Sequence, residues 1–302
     1  MQDVTGELAA VGTSLCFAFG STLFTLAGRE LGAQRVNRVR LLVAALMIGV
    51  IHLLIFHQLM PANLSTESFS WLAVSGIVGL VLGDMCLMQA FVMVGPRLSM
   101  LMMALAPMFS TVIAWLFLHE TLDTQTVIGI ILAVGGVLLV VVERQGAGPS
   151  SSTVTGRAYK IGLLFALGGS LGQAGGTVLS RLGLAQGLEP LSASLIRLTV
   201  ATIVVWAIAL LRRDTSRDLT ALREKPRASG RLVGGAIAGP VVGVWLSLVA
   251  VQRTSVGIAS TLTSLTPIFL IPISYLVFKE RVTKQAIVGT LIAFVGTVLL
   301  FI

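Results

Sequence analysis

One carboxylate in the sequence lies in the middle of a long apolar stretch. Asp84 is near the centre of residues 70–92, where an ionised side chain in hydrocarbon costs at least about 2.5–3.5 kcal/mol. A functional Asp84 would carry a proton coupled to substrate movement, or balance the charge of a cationic substrate. A structural Asp84 would pair with an inward arginine such as Arg40, or cap a break in its helix. The sequence leaves both roles open.

Two arginines occupy equivalent places where later apolar runs begin. Arg40 is followed by Leu41, and Arg197 by Leu198. Each guanidinium could reach the membrane interface and reinforce the topology, as long basic side chains do. The alternative is anion binding, so both are candidate charges at the mouth of a cavity.

Helix-breaking and small residues also recur inside the apolar runs. Pro107 and Pro267 each remove a backbone hydrogen bond, which a membrane helix tolerates where it faces protein or a water-filled cavity. Glycines four residues apart predict close contact between helices, because small residues let backbones approach. These rows are Gly79 and Gly83; Gly168, Gly172 and Gly176; and Gly235, Gly239 and Gly243.

The patterns required for catalysis are missing from the sequence. It holds no His, Cys and Asp cluster with metal-ligand spacing and no nucleophile beside a base, so we predict no catalytic residue, metal or cofactor. Cys16 and Cys86 both lie inside apolar runs, which argues against a disulfide. The net charge of +8 comes from Lys and Arg beside apolar runs, the pattern of topology signals rather than of a nucleic-acid-binding surface.

Composition places the chain among membrane proteins. Hydrophobic residues make up 55% and charged residues only 11%, against about 25% charged in a soluble domain. A bilayer core needs about 20 apolar residues per helix. Ten runs qualify and predict an all-α protein with ten transmembrane helices: 6–27, 38–57, 70–92, 97–118, 124–142, 160–180, 190–211, 232–252, 256–278 and 284–302. Segments 146–155 and 212–231 are predicted to be solvated linkers.

The chain contains the same unit twice. Residues 83–140 align without a gap on residues 243–300, and the identities include Gly83 with Gly243 and Pro107 with Pro267. Asp84 aligns with Val244, so the acid is not part of the repeated scaffold. We divide the chain into repeat 1 at 1–142, a linker at 143–159 and repeat 2 at 160–302. Duplication of this kind dictates the architecture.

Charge distribution predicts how the two repeats sit in the membrane. Five helices per repeat require the second repeat to enter in the opposite sense, giving inverted repeats. Of the 21 Lys and Arg residues, eighteen lie in the odd-numbered gaps between helices. The positive-inside rule therefore places the odd gaps in the cytoplasm, and both termini outside the cytoplasmic membrane.

The repeated motif resembles that of EamA-type carriers in the drug/metabolite transporter superfamily. It is carried by Pro107, Phe109, Glu120, Gln125 and Gly129, and again by Pro267, Phe269, Glu280, Gln285 and Gly289. The resemblance covers nearly the whole chain. It implies a ten-helix carrier that works by alternating access, with a central cavity lined by the first, third and fourth helices of each half. Where the family usually has Trp-Gly in the first helix, this chain has Phe19-Gly20.

These arguments together predict a secondary transporter for a small metabolite, amino acid or drug-like compound, with proton-coupled export. Its partners would be the small-molecule substrate, the bilayer and H+, and a monomer would suffice. A membrane-embedded enzyme or a lipid-handling protein is the alternative. Besides Asp84, Arg40 and Arg197, the candidate cavity residues are Phe19, Met88, Gln89, Pro107, Ser110, Gln173, Trp245 and Pro267.

Overall fold

The computed structural model describes residues 4–58, 61, 64–118, 121–146, 156–185, 187–280 and 282–301. Within these ranges the chain forms helices and short connections and no β-strand, so the prediction of an all-α protein is confirmed. Most of the linker between the repeats lies outside the described residues, and so does Glu120 of the repeated motif.

Seven α-helices and one π-helical segment precede the linker. They are α1 (Thr5–Leu31), α2 (Ala33–Phe56), α3 (Thr66–Ser75), the π-helical segment Gly76–Gly83, α4 (Asp84–Val94), α5 (Pro96–Met103), α6 (Ala106–Leu118) and α7 (Thr124–Gly146). The second half holds α8 (Gly156–Leu184), α9 (Pro190–Leu211), α10 (Asp214–Glu224), α11 (Pro226–Ala236), the π-helical segment Ile237–Gly243, α12 (Val244–Arg253), α13 (Val256–Thr263), α14 (Thr266–Phe278) and α15 (Lys284–Val298).

Length and hydropathy identify the membrane-spanning helices. Within the described residues nine helices are long and apolar enough to cross a bilayer, and they coincide with the first nine predicted runs. The tenth, α15, is apolar but has 15 residues, so the count of ten stays a prediction. Large apolar side chains such as Leu211 and Phe117 project from the outer surface, where only lipid can cover them. The chain is therefore a multi-pass membrane protein.

Both halves interrupt the same two spans. The third span of each half contains a π-helical segment, and the two segments end at the repeat-equivalent Gly83 and Gly243. The fourth span of each half is broken by a turn just before Pro107 and Pro267, as the prolines predicted. Pro240 signals the π-helical segment of the second half, whereas the first half carries no such signal in its sequence.

The halves interlock about a pseudo-two-fold axis. The first helix of each half packs against the third and fourth spans of the other half: α1 against α11, α12, α13 and α14, and α8 against α3, α4, α5 and α6. The second helices α2 and α9 pack on each other, and so do α7 and α15. Neither half could bury its apolar faces in this way alone.

The predicted glycine rows lie at close contacts between helices. A Cβ built on Gly172 would lie 2.5 Å from Cα of Gly83, and one on Gly176 would lie 2.8 Å from Cα of Gly79. Gly20 of α1 approaches Gly239 in the same manner, since a Cβ built on Gly20 would lie 3.2 Å from the backbone nitrogen of Gly239. Only residues without a side chain allow backbones to come this close.

Segment 212–231 is largely exposed, as predicted for a solvated linker, but it is helical and docks on α2. This segment folds into α10 and the first turns of α11. Asp218 of α10 is 3% exposed and bridges two arginines of α2, at 2.8 Å from Arg35 and 2.5 Å from Arg38. The sequence alone does not reveal this docking, because the two arginines that pair with Asp218 lie some 180 residues earlier in the chain.

Odd-numbered gaps gather at one end of the bundle. The Asp218 pairs join the first and seventh gaps, and Arg97 lies 3.7 Å from Glu280, which joins the third and ninth. At the opposite end His52 hydrogen-bonds Ser192 at 2.9 Å, and Thr254 donates to Glu7 at 3.1 Å. The basic end therefore contains the gaps in which most Lys and Arg residues occur.

Candidate functional site

A cavity of about 310 Å³ lies between the two halves at the depth of the membrane. Its wall is formed by the first two helices of the first half, the third and fourth spans of that half, and α8, α9 and the π-helical region of the second half. The lining residues are Phe17, Gly20, Ser21, Phe24, Arg40, Leu41, Ala44, Ile48, Leu80, Leu87, Met88, Phe91, Met100, Gln173, Ser194, Arg197, Leu198, Gly239, Pro240 and Val244. The wall is apolar except at a few positions, as is usual for small-molecule sites.

Helix periodicity explains which residues of α1 line the cavity. Phe17, Gly20, Ser21 and Phe24 are spaced three and four residues apart, which places them on one face of the helix. Phe19 falls between these positions and points away, with 55% of its surface exposed. The predicted aromatic of the first helix is therefore outside the cavity, and its neighbours Phe17 and Phe24 are inside.

Asp84 and Arg40 form an ion pair at the cavity wall. An amino group of the Arg40 guanidinium donates to Asp84 Oδ2, and the two side chains are 16% and 9% exposed. Arg40 also donates to Asn37 Oδ1 at 3.4 Å, and its guanidinium lies 5.9 Å from the centre of the Phe24 ring. The pairing suggested by the sequence is therefore present, with Arg40 facing the cavity.

The π-helical segment determines where Asp84 lies. Asp84 is the first residue of α4, directly after Gly83. A π-helical segment inserts extra backbone into a helix and turns the residues beyond it, and such segments frequently mark functional sites. Val244 follows the second π-helical segment in the same way and lines the same cavity.

Arg197 reaches the cavity from α9, with the bare backbone of Gly79 beside it. A Cβ on Gly79 would lie 3.4 Å from the Arg197 Nη2 atom, so the absence of a side chain there makes room for the guanidinium. The Nε of Arg197 is buried and has no hydrogen-bond partner among the described residues. Within that part of the chain no carboxylate forms an ion pair with Arg197, in contrast to Arg40, and the charge of Asp84 acts on Arg197 only at longer range.

The two arginines lie at different depths. α2 and α9 run antiparallel, since His52 near the end of α2 contacts Ser192 near the start of α9. Arg40 is twelve residues before that contact and Arg197 five residues after it. At a rise of 1.5 Å per residue they are about 10 Å apart along the bundle, with Arg40 nearer the basic end.

Four of the predicted residues meet at this cavity: Arg40, Arg197, Met88 and Gln173. Asp84 lies behind Arg40. The others are not among the residues lining this cavity: Phe19, Gln89, Pro107, Ser110, Trp245 and Pro267. Their roles in substrate binding stay predictions.

Local contacts account for the position of three of these residues. Ser110 donates to the carbonyl of Ala174 at 3.4 Å, a hydrogen bond between α6 and α8. Trp245 is 58% exposed, and Pro267 is buried at the start of α14.

The contribution of the second helices was missed. The resemblance implied walls from the first, third and fourth helices, but α2 and α9 supply Arg40, Ala44, Ser194 and Arg197 among others. Arg40 and Arg197 could have indicated that the second helices line the cavity, because a charged residue seven positions inside an apolar helix needs an aqueous or polar surrounding.

Duplicated helical units that enclose a partly polar cavity at membrane depth define a class of integral membrane transporters. The model of the EamA-like transporter family matches residues 4–142 and 160–302. The chain belongs to this EamA-like transporter family, as its repeated motif suggested.

Two further similarities agree with this assignment. An uncharacterized transporter of Archaeoglobus fulgidus is 32% identical over 114 residues, which are 37% of this chain and only 38% of that protein. A crystal structure of another protein superposes with a TM-score of 0.61, covering 97% of this chain and 95% of the other, at 14% identity. At that identity the second similarity shows a common fold.

Proposed function

We propose that the protein is a secondary carrier that exports a small metabolite across the cytoplasmic membrane by alternating access, in exchange for protons. The observation that carries the proposal is a difference between the halves. α2 packs along α4, whereas α9 makes no comparable contact with its counterpart α12 in the described part of the chain. One side of the cavity is therefore closed by helix packing, and the equivalent side is not.

Exchanging the two arrangements gives the second state of the carrier. In that state α9 would close on α12, and α2 would move away from α4. Inverted repeats allow such an exchange, because each half can adopt the conformation of the other around a fixed central site. The open side lies toward the end opposite the basic gaps, where Ile48 and Ser194 line the cavity close to the His52–Ser192 contact.

The Arg40–Asp84 pair supplies a coupling group for this exchange. It connects α2 to α4, the contact that must separate for the cavity to open toward the basic end. A proton on Asp84 removes the charge that holds Arg40 and so weakens this contact. Outward movement of substrate and inward movement of protons would then depend on the same pair.

Proton release by the purified protein tests the coupling. Amino acids, nucleosides and cationic drugs are added to detergent-solubilised protein in weak buffer, and the pH change is compared with that of Asp84→Asn. We expect the transported ligand to release protons from the wild type and not from the variant. Ligand binding with the same proton release in both proteins would remove Asp84 from the coupling step.

We also propose that the basic end faces the cytoplasm, with both termini outside. Arg217 of α10 has a side chain that is 79% exposed, so Arg217→Cys in a protein without Cys16 and Cys86 gives an accessible thiol. A membrane-impermeant maleimide should label this thiol only after the cells are opened. Labelling of this thiol in intact cells would show that the basic end faces outside, opposite to the proposed orientation.

Membership of a transporter family favours transport over the enzyme and lipid-handling alternatives. A cavity of about 310 Å³ is at the small end of ligand sites, which favours a metabolite of amino-acid size over a large drug.

A further inference from the structure

We infer that Arg197 binds the carboxylate of the transported molecule, which makes the substrate a small carboxylate with an apolar body. This inference rests on the proposed transport function and adds a substrate class to it. It begins from the internal symmetry of the chain, since the two arginines of the cavity hold equivalent positions. Arg40 is the eighth residue of α2, and Arg197 is the eighth residue of α9.

The surroundings of the two arginines differ most in the residue that follows the π-helical segment. The repeat places Gly79 beside Arg197 and the equivalent Gly239 in the wall that contains Arg40. Arg40 has Asp84 as its partner, at the position directly after a π-helical segment. The equivalent position in the second half holds Val244, whose side chain cannot accept a hydrogen bond or balance a charge.

The second half therefore has no carboxylate at the position equivalent to Asp84. Arg40, Asp84 and Arg197 together carry one net positive charge at an apolar cavity. The Nε atoms of both arginines are buried without an acceptor among the described residues, but only Arg40 is in an ion pair. Burying a charge without a partner is costly, and a guanidinium binds a carboxylate with two parallel hydrogen bonds. A ligand carboxylate would supply the acceptor that Val244 does not.

The rest of the wall indicates the body of the ligand. Around the arginines the cavity is lined by side chains such as Phe17, Phe24, Leu80 and Phe91. These surfaces favour an apolar or aromatic group and offer little to a sugar or a second negative charge. A carboxylate that also bears an ammonium group fits the proposed exchange as well, since its positive charge can replace a proton at Asp84.

Arg197 lies on the open side of the cavity, so a carboxylate bound to it would affect how that side closes. Arg197 lies on α9 and Val244 on α12, two helices that, among the described residues, make no contact comparable to that of α2 with α4. A carboxylate held by Arg197 neutralises the charge that would otherwise be buried when α9 closes on α12. Bound substrate would thereby permit this closure, so that the carrier can pass between its two states with substrate bound.

The test compares carboxylates with their amides on the purified full-length chain. The probes are 3-phenylpropionate against 3-phenylpropionamide, and L-phenylalanine against L-phenylalaninamide, with binding measured as the rise in melting temperature over a concentration series. We expect the two carboxylates to bind the wild type and the amides not to bind. Arg197→Gln should weaken the carboxylates about 10–100-fold, the range for a hydrogen bond to a charged group.

Two variants of Val244 provide the matched pair. Val244→Asp supplies Arg197 with an internal carboxylate and should exclude the probes as fully as Arg197→Gln does. Val244→Asn introduces a side chain of nearly the same size as aspartate but without its charge, so this variant should keep carboxylate binding. Gel filtration and the melting temperature without ligand show whether each variant is folded; if Val244→Asp is not, the Arg197→Gln and amide comparisons decide.

Several outcomes would overturn the inference: amides that bind as tightly as carboxylates, no binding of any probe, or a folded Arg197→Gln that keeps full affinity. Flux into proteoliposomes separates this inference from the proposed function. Carboxylates that bind through Arg197 but are never transported would contradict transport and leave the site in place. Transport of the amides alone would leave the carrier in place and remove the carboxylate site.

Discussion

The two halves of this protein share one scaffold and differ in the charge placed on it. Both carry an arginine at the eighth residue of the second helix and a π-helical segment in the third span. Behind that segment the first half has Asp84 and the second has Val244. Asp84 therefore pairs with Arg40 in the first half, whereas Arg197 of the second half is in no ion pair among the described residues.

This difference shows which features of a duplicated protein have to stay the same in both halves. Glycine contacts and helix breaks are kept in both halves, since each half must pack against the other. The cavity needs no such equality, because a ligand binds once in a shared site. Asymmetric chemistry on a symmetric scaffold also accounts for why Asp84 has no repeat counterpart.

The largest difference is expected from removing each arginine in turn. Arg40→Gln leaves Asp84 buried without its partner, a change that costs about 3–5 kcal/mol in buried ion pairs. Arg197→Gln removes a cation that is in no ion pair among the described residues and acts on Asp84 only at longer range, so we expect a much smaller loss of stability. The melting temperatures of the two purified variants in detergent make the comparison.

A double variant serves as the control for this pair. Arg40→Gln with Asp84→Asn removes both charges and should recover most of the stability lost in the single variant. Equal destabilisation by Arg40→Gln and Arg197→Gln would show that the two arginines are equally engaged, and the proposed contrast between the halves would be lost.

A smaller effect is expected where the glycine rows differ. Gly172 in α8 is equivalent to Cys16 in α1, and a Cβ on Gly172 would meet Cα of Gly83 at 2.5 Å. Gly172→Ala should destabilise by about 1–3 kcal/mol, the usual cost of overpacking, because neither backbone can move aside easily. Cys16→Ala only shortens a half-buried side chain and should change the melting temperature far less.

Gly135→Ala controls for the helical preference of alanine, since nothing lies within 4 Å of its added Cβ. If Gly172→Ala melts at the same temperature as Gly135→Ala, the close approach of α8 to the third span contributes little to stability.

The smallest effect concerns the helix caps that precede α7 and α15. Asp123 accepts the backbone N–H of Thr126 at 2.9 Å, and the equivalent Thr283 accepts that of Ala286 at 3.2 Å. Hydrogen bonds from the side chain and backbone of Thr126 hold the pKa of Asp123 below its ordinary value. Because the pKa of Asp123 is lower in the folded protein, its ionised carboxylate stabilises the fold at pH values above the unfolded pKa of about 3.9. This contribution disappears as the pH falls through the folded-state pKa.

Asp123→Ala should therefore lower the melting temperature slightly at pH 7, and the gap to wild type should close below about pH 4. Thr283→Ala should give a small loss that does not vary with pH, since a hydroxyl does not titrate in this range. A pH-independent gap for Asp123→Ala would mean that its charge contributes nothing to the cap.

Much of the architecture could be predicted because its causes are local or repeated in the sequence. The apolar runs give the spans, the offset of 160 residues gives the duplication, and prolines give the breaks before Pro107 and Pro267. The glycine rows indicated close packing without their partners. These features follow from the cost of exposing backbone or charge to lipid, which each segment must satisfy on its own.

Site prediction was less complete, because it depends on how helices rotate against each other. Asp84, Arg40 and Arg197 stood out as charges at membrane depth, and the structure brings them to one cavity. Phe19 was chosen for its neighbour Gly20, yet the face of α1 that lines the cavity contains Phe17 and Phe24. A rotation of one residue along a helix changes the direction of a side chain by about 100°.

The sequence by itself determined a duplicated, all-helical membrane protein with a few charges inside its spans, because hydropathy and repetition can be recognised without knowing any contact. Only the tertiary structure decided which charges meet. Arg40 reaches Asp84, Asp218 pairs with arginines of α2, and Arg197 and Val244 line the same cavity. Each of these depends on the docking of helices far apart in the chain, where a shift of a few ångströms makes or breaks an ion pair.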